Sequence, residues 1–172
     1  MPTTSPKRRK VSPSQPSAPS PSVLAILARF RVILQSTRQH YQNVQESVGV
    51  SGSQLQALAI IATQPHVGVS ALAHAMLVRQ PTASNLVEQL VRLGLVKRKK
   101  SGTDLRAREL TITPKGRGIL ARAPGPVVGV LADAIASLSP ESIADLRRSL
   151  DAVLRTMKSR DDRARYRPLA DM

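Results

Sequence analysis

Gln80, Thr82, Ser84, Asn85 and Gln89 stand within one short stretch, and Arg92 closes it. All but the last are short, neutral side chains that both donate and accept hydrogen bonds. Groups of this kind match the donor and acceptor patterns on base-pair edges, and Asn and Gln can engage adenine with two bonds at once. The next stretch is of a different type. From Arg92 to Arg122 there are ten basic and two acidic residues, a local balance of +8 within a chain whose formal charge is +15. Cations at that density neutralise phosphates, which supplies the sequence-independent share of affinity for nucleic acid. Lys99, Lys100, Arg106 and Arg108 are the candidate phosphate contacts, and a loop that holds Arg106 beside a groove-bound helix can place it in a narrow minor groove. Ser70, which opens the preceding short helix, joins the set.

Other chemistries find little support. The chain has no cysteine, which removes disulfides, thiol catalysis and thiolate metal sites. His40, His66 and His74 lie on three different elements without a carboxylate cluster, so they read as packing or surface residues, and no metal or other cofactor is expected. No nucleophile elbow, phosphate-cradling glycine loop or positioned triad is present, so no catalysis is expected. With two Tyr, one Phe and no Trp, there are no aromatic platforms for stacking single-stranded bases. No apolar run reaches the length of a membrane span, and no secretory signal pattern follows the basic start, so a cytoplasmic, nucleoid-associated protein without a membrane partner is expected. A polar helix face is often merely solvated, and a basic run can serve solubility. Their adjacency favours double-stranded DNA as the partner.

The elements that must position these residues are mostly helices. Leu24, Leu27, Phe30, Leu34, Tyr41 and Val44 recur at helical spacing, with Ser22 as a candidate cap and Gly49 and Gly52 at the end. Ser53 is the candidate cap for a second helix that stops before Pro65. Ser70 caps a short helix over Ala71 to Leu77. Pro81 fits the first turn of the next, which runs to about Leu93 with Gly94 as its stop. Its Ala83, Leu86, Val87, Leu90 and Leu93 share one face, which anchors it and turns the polar residues outward. Leu95 to Lys99 and Arg106 to Ile112 read as a hairpin. Thr113-Pro114 and Ser139-Pro140 each start a further helix, the last with a stripe of Ile143, Leu146, Leu150, Val153 and Met157.

This order of elements resembles the MarR (multiple antibiotic resistance regulator) family. The resemblance rests on Ser70-Ala71-Leu72-Ala73, Gln80-Pro81-Thr82-Ala83-Ser84, Glu88-Gln89-Leu90, Leu93-Gly94-Leu95-Val96, Asp104-Leu105-Arg106 and Ile112-Thr113-Pro114-Lys115-Gly116. It implies a mainly α fold with a small β-wing, a winged helix-turn-helix plus a terminal-helix dimerisation region. It further implies a homodimer on a palindromic operator, and often a small aromatic effector near the junction of the dimer and DNA-binding parts. Gln80, Thr82, Ser84 and Asn85 would read or approach bases, Arg106 would sit at the wing tip and Asp104 would stabilise the wing by an ion pair. Two departures stand out. Positions 85 and 89, often basic in the family, are Asn85 and Gln89 here, which shifts phosphate binding toward the wing. Ala123-Pro124-Gly125-Pro126 also interrupts what is usually one long helix, since an interior proline costs about 3 kcal/mol or more.

The expected organisation is a disordered basic, Pro- and Ser-rich arm over 1–21 and a winged helix domain over 22–158. Within that domain, 22–48 and 127–158 are the dimerisation helices and 53–113 the DNA-binding core. A flexible tail over 159–172 completes the chain. The expected function is a homodimeric repressor reading its operator with Pro81 to Leu93 and the wing Lys97 to Arg108, released by a small-molecule effector. A nonspecific architectural DNA-binding protein is the alternative.

Overall fold

A computed structural model describes residues 18–64, 66–100 and 108–171. Along the chain these form α1 (Pro21–Val48), α2 (Gly52–Thr63), α3 (Val69–Ala75), α4 (Gln80–Arg92), β1 (Val96–Lys100), β2 (Arg108–Ile112), α5 (Pro114–Arg122), α6 (Val130–Ala136) and α7 (Pro140–Thr156), followed by short 3-10 turns at Asp162–Tyr166 and Leu169–Asp171. The mainly α fold with a two-stranded wing agrees with the expectation. Asp104 and Arg106, and most of the N-terminal arm, lie outside the described residues, as do the side chains of Lys100 and Arg108.

The helix ends show which local signals prevailed. Ser20, rather than Ser22, caps α1, its hydroxyl accepting from the Val23 N–H, and Gly49 ends the helix at φ 70°. Ser51, rather than Ser53, caps α2. Its hydroxyl accepts from the Gln54 N–H at 3.2 Å and its own N–H donates to Gln54 Oε1 at 3.0 Å. That reciprocal pair satisfies two otherwise orphaned donors, an advantage Ser53 cannot match. Gly68, rather than Ser70, precedes α3, whose first residue is Val69.

One apolar core runs from Val44 to Ile119 and binds α2, α3, α4 and both strands. Leu86, Val87 and Leu90 fix α4 to it, and truncating such a buried leucine to alanine costs about 2–5 kcal/mol. The outer part of α1, together with α6 and α7, is different. Neither α6 nor α7 has a buried residue, and Leu24, Leu27, Phe30, Leu34, Ile143, Leu150, Val153 and Met157 are all exposed. Between α5 and α6 the chain leaves the helix over residues 123–129, where the prolines cannot supply N–H donors.

The C-terminal segment corrects the expectation of a flexible tail. It folds back onto α2, with Pro168 buried and Ser53 Oγ donating to Asp171 Oδ1 at 2.6 Å. Gly52 makes the approach possible, since a Cβ there would lie 2.7 Å from the Ala170 Cβ and would also meet the Tyr41 ring. The docked carboxylate replaces the solvation of a fully buried hydroxyl, which a frayed tail would leave without a partner.

Candidate nucleic-acid interface

The helix-turn-helix is α3, the turn Met76 to Arg79, and α4. Backbone bonds from Leu77 N–H to His74 O (3.1 Å) and from Val78 N–H to Ala73 O (3.0 Å) close α3, with Leu77 held at φ 53°. A non-glycine residue in the left-handed region costs roughly 1–2 kcal/mol, and the buried Met76 and Val78 on either side hold it there. The same pattern ends α4. Leu95 N–H reaches Leu90 O and Gly94 N–H reaches Val91 O, both at 2.9 Å, with Gly94 at φ 71°. This turn delivers the chain directly into β1.

On α4 the burial pattern sorts the candidate base readers. Ala83, Leu86, Val87 and Leu90 face the core, while Gln80, Pro81, Asn85, Glu88 and Arg92 are exposed. Thr82 and Ser84 are half-buried on the flanks. Gln89 departs from the sequence reading: it is half-buried and its Oε1 accepts from Gln54 Nε2 at 2.8 Å, which ties α4 to α2. Two steps of four residues separate it from Pro81, and the resulting rotation carries it round the helix toward α2. Ser70 is exposed at the second position of α3. No side chain caps the N-terminus of α4 and its first turn has no acidic residue, so its N–H groups and partial positive charge remain open to an anion.

The wing is clamped at its base. β1 and β2 pair antiparallel from Val96–Ile112 to Lys100–Arg108. Val96, Leu110 and Ile112 point into the core, whereas Lys97, Arg98 and Lys99 are exposed. Lys99 stands across from Glu109, whose carboxylate also meets His66 Nδ1 at 2.6 Å. Leu110 N–H donates to Val67 O at 2.9 Å, joining the wing to the segment before α3. Thr113 is buried at the crossing. Its N–H donates to Leu95 O at 3.0 Å, its hydroxyl lies between Gly94 O (2.9 Å) and Leu95 O (3.1 Å), and its Oγ1 accepts from Gly116 N–H at 3.0 Å. Lys115 Nζ adds a bond to Leu93 O at 3.0 Å. These bonds tie the exit of α4, the start of β1, the end of β2 and the start of α5 together.

One basic residue escaped the sequence reading. Arg79 immediately precedes α4, is exposed, and places its guanidinium carbon 5.5 Å from the centre of the Tyr166 ring. Its place beside Gln80-Pro81 was the available signal, but its partner lies 87 positions along the chain.

A cavity of about 430 Å³ lies between α1, α2, α6 and the C-terminal turn, lined among others by Leu34, Tyr41, Gly52, Leu131 and Leu169. Tyr41 is half-buried there, and burial, followed by the nearby Asp171 carboxylate, raises its phenol above the usual range. Gly129, at φ 94°, passes so close to the Tyr41 hydroxyl that a Cβ would collide with it. His40, His66 and His74 lie apart, and no group of side chains among the described residues could hold a metal ion. No helix among them is long and apolar enough to cross a membrane.

Comparison with known proteins places this geometry. The MarR family model matches residues 48–107. A MarR family transcriptional regulator from Streptomyces coelicolor, solved in complex with DNA, is 20% identical with a TM-score of 0.57, covering 86% of this chain and 94% of that one. A MepR-like protein complexed with pseudoligands is 19% identical with a TM-score of 0.55, covering 78% and 94%. A mutant of Staphylococcus aureus MepR bound to an oligodeoxyribonucleotide is 20% identical with a TM-score of 0.50, covering 76% and 96%. No curated protein sequence matches the chain.

Proposed function

We propose, from the match of the MarR family model to residues 48–107, that this chain belongs to that family and is a sequence-specific, homodimeric transcription repressor. The observation that carries the reading is the exposed, uncapped N-terminal face of α4, bearing Gln80 and Asn85, held rigidly beside a basic wing. A helix enters the major groove N-terminus first and reads base edges with such groups, while flanking cations meet phosphates. Arg92, Lys99, Lys100, Arg106 and Arg108 supply the cations, and Asp104 steadies the wing. Ser70, Thr82 and Ser84 approach the backbone or bases from the flanks. Two solved relatives of the fold are DNA complexes, which supports the same partner here.

Dimerisation accounts for the unburied apolar residues of α1 and α7. Large exposed apolar side chains gathered on helices in this way mark an interface, and a two-fold dimer matches a palindromic operator. Phe30→Glu should convert the dimer to monomer in sedimentation analysis. The cavity of about 430 Å³ is of the size that holds a small ligand. We assign it to an aromatic effector that releases DNA, with the protein working in the cytoplasm.

The decisive experiment is selection of bound duplexes from a random pool, followed by competition at physiological salt. A preferred sequence bound about a thousand-fold or more above random duplex is expected. Equal affinity for all duplexes would replace this reading with a nonspecific architectural DNA-binding protein.

A further inference from the structure

The segment after α7 places a second cluster of guanidinium groups against the residue that precedes the reading helix. Arg79, Asp162, Arg163, Arg165 and Tyr166 line a shallow cleft of about 300 Å³. Tyr166 holds Arg79 by a cation–π contact, which limits the conformations that guanidinium must lose on binding. The segment is itself anchored by the Ser53–Asp171 hydrogen bond and the buried Pro168, so its arginines stand on a fixed support. The carboxylates are already engaged. Asp162 meets Arg160 at 3.1 Å and Arg165 at 4.0 Å, and Asp161 meets Arg167 at 3.9 Å and accepts the Arg163 N–H at 3.0 Å. Among the described residues no ion pair involves the side chains of Arg79 or Arg163. Guanidinium groups are suited to bidentate binding of phosphate.

We propose that Arg79, Arg163 and Arg165 form a clamp for a DNA backbone phosphate beside the reading helix, contributed by the C-terminal segment and positioned by Tyr166. The inference rests on the DNA-binding reading above and adds a contact outside the helix and wing. Arg165, whose carboxylate partner is 4.0 Å away at an exposed site, exchanges that weak pairing for the phosphate.

The test measures binding of a random-sequence duplex of about thirty base pairs by fluorescence anisotropy across a salt series, with the full-length chain. Each phosphate contact contributes about 0.9 to the slope of log affinity against log salt. With one phosphate held by each protomer of the proposed dimer, the R163A/R165A variant should therefore lose up to about 1.8 from that slope. Tyr166→Phe should retain the wild-type slope, and Tyr166→Ala should lose part of it. R148A/R155A removes the same charge from α7 and should leave the slope unchanged. An unchanged slope in a folded R163A/R165A variant, or an equal loss in R148A/R155A, overturns the clamp. If Arg92→Ala weakens binding while R163A/R165A does not, the clamp falls and the DNA-binding reading stands. A wild-type chain that binds no duplex removes both.

Discussion

Replacing Thr113 by valine removes one oxygen atom from the point where α4, the two strands and α5 meet. The side chain is nearly isosteric, so the change isolates the hydroxyl. Two losses follow. The α5 N-cap disappears, because Gly116 N–H loses Oγ1 at 3.0 Å; losing such a cap costs about 1 kcal/mol, within a range of roughly 0.5–2. Gly94 O also loses its donor at 2.9 Å. Leu95 O keeps the Thr113 N–H at 3.0 Å and is spared. A part-buried carbonyl left unpaired costs about 1–3 kcal/mol. Together these give about 2–4 kcal/mol, and at roughly 2–4 °C per kcal/mol for a chain of this size the melting temperature should fall by about 5–15 °C. The assay is thermal melting by circular dichroism at one fixed protein concentration, since the proposed association would make the melting temperature depend on it. Thr113→Ser keeps the oxygen and should lose less than half as much as Thr113→Val. A valine variant melting within about 2 °C of wild type, or a serine variant as damaged as the valine one, would refute the assignment of the hydroxyl as the wing's anchor.

Other expectations follow from the same geometry. Asn85→Ala should cost about 1–3 kcal/mol at particular base pairs of the selected duplex, whereas Gln89→Ala, whose side chain serves Gln54, should leave base preferences unchanged; competition with single-base variants of the duplex separates the two. Gly116→Ala should destabilise by more than about 2 kcal/mol, because its Cβ would meet the Leu95 carbonyl oxygen, a backbone atom that cannot step aside; chemical denaturation measures it. Tyr41 should titrate above ordinary tyrosine in ultraviolet difference spectra taken against Tyr41→Phe, and Asp171→Asn should bring it part of the way back. The sign is set by the proton: the folded state holds it more tightly than the unfolded state, so Tyr41 contributes stability below the phenol range that is lost as pH rises through it. Titration of Tyr41 at or below the ordinary range would contradict its packing against the docked C-terminus.

The helical body, the hairpin after Gly94 and the caps at Thr113 and Ser139 were legible because each depends on residues within a few positions of one another. The α4 helix shows this best: Pro81, the apolar residues at spacings of three and four, and Gly94 specify its start, inner face and end without reference to the rest of the chain. Misplaced caps at α1, α2 and α3 mark where nearby residues competed, and at α2 the neighbour's partner decided. Ser51 prevails over Ser53 because Gln54 completes its box, and Ser53 is left to bind a carboxylate 118 residues away.

The long-range partnerships were invisible for the same reason. Composition predicts a frayed end from Ser159 onward, since Arg and Asp alternate there without an apolar stripe. Only the fold brings that end against Gly52, Ser53 and Arg79, where a missing side chain leaves room and a buried hydroxyl needs an acceptor. Gln89 likewise looked like a base reader until its position on the helix cylinder met Gln54. The sequence by itself therefore determined which helix faces outward and how much charge stands beside it, because periodicity and charge density are local quantities. The tertiary structure alone decided which polar groups remain available for the proposed DNA partner, because availability depends on whether a distant residue has already satisfied the same donor or acceptor.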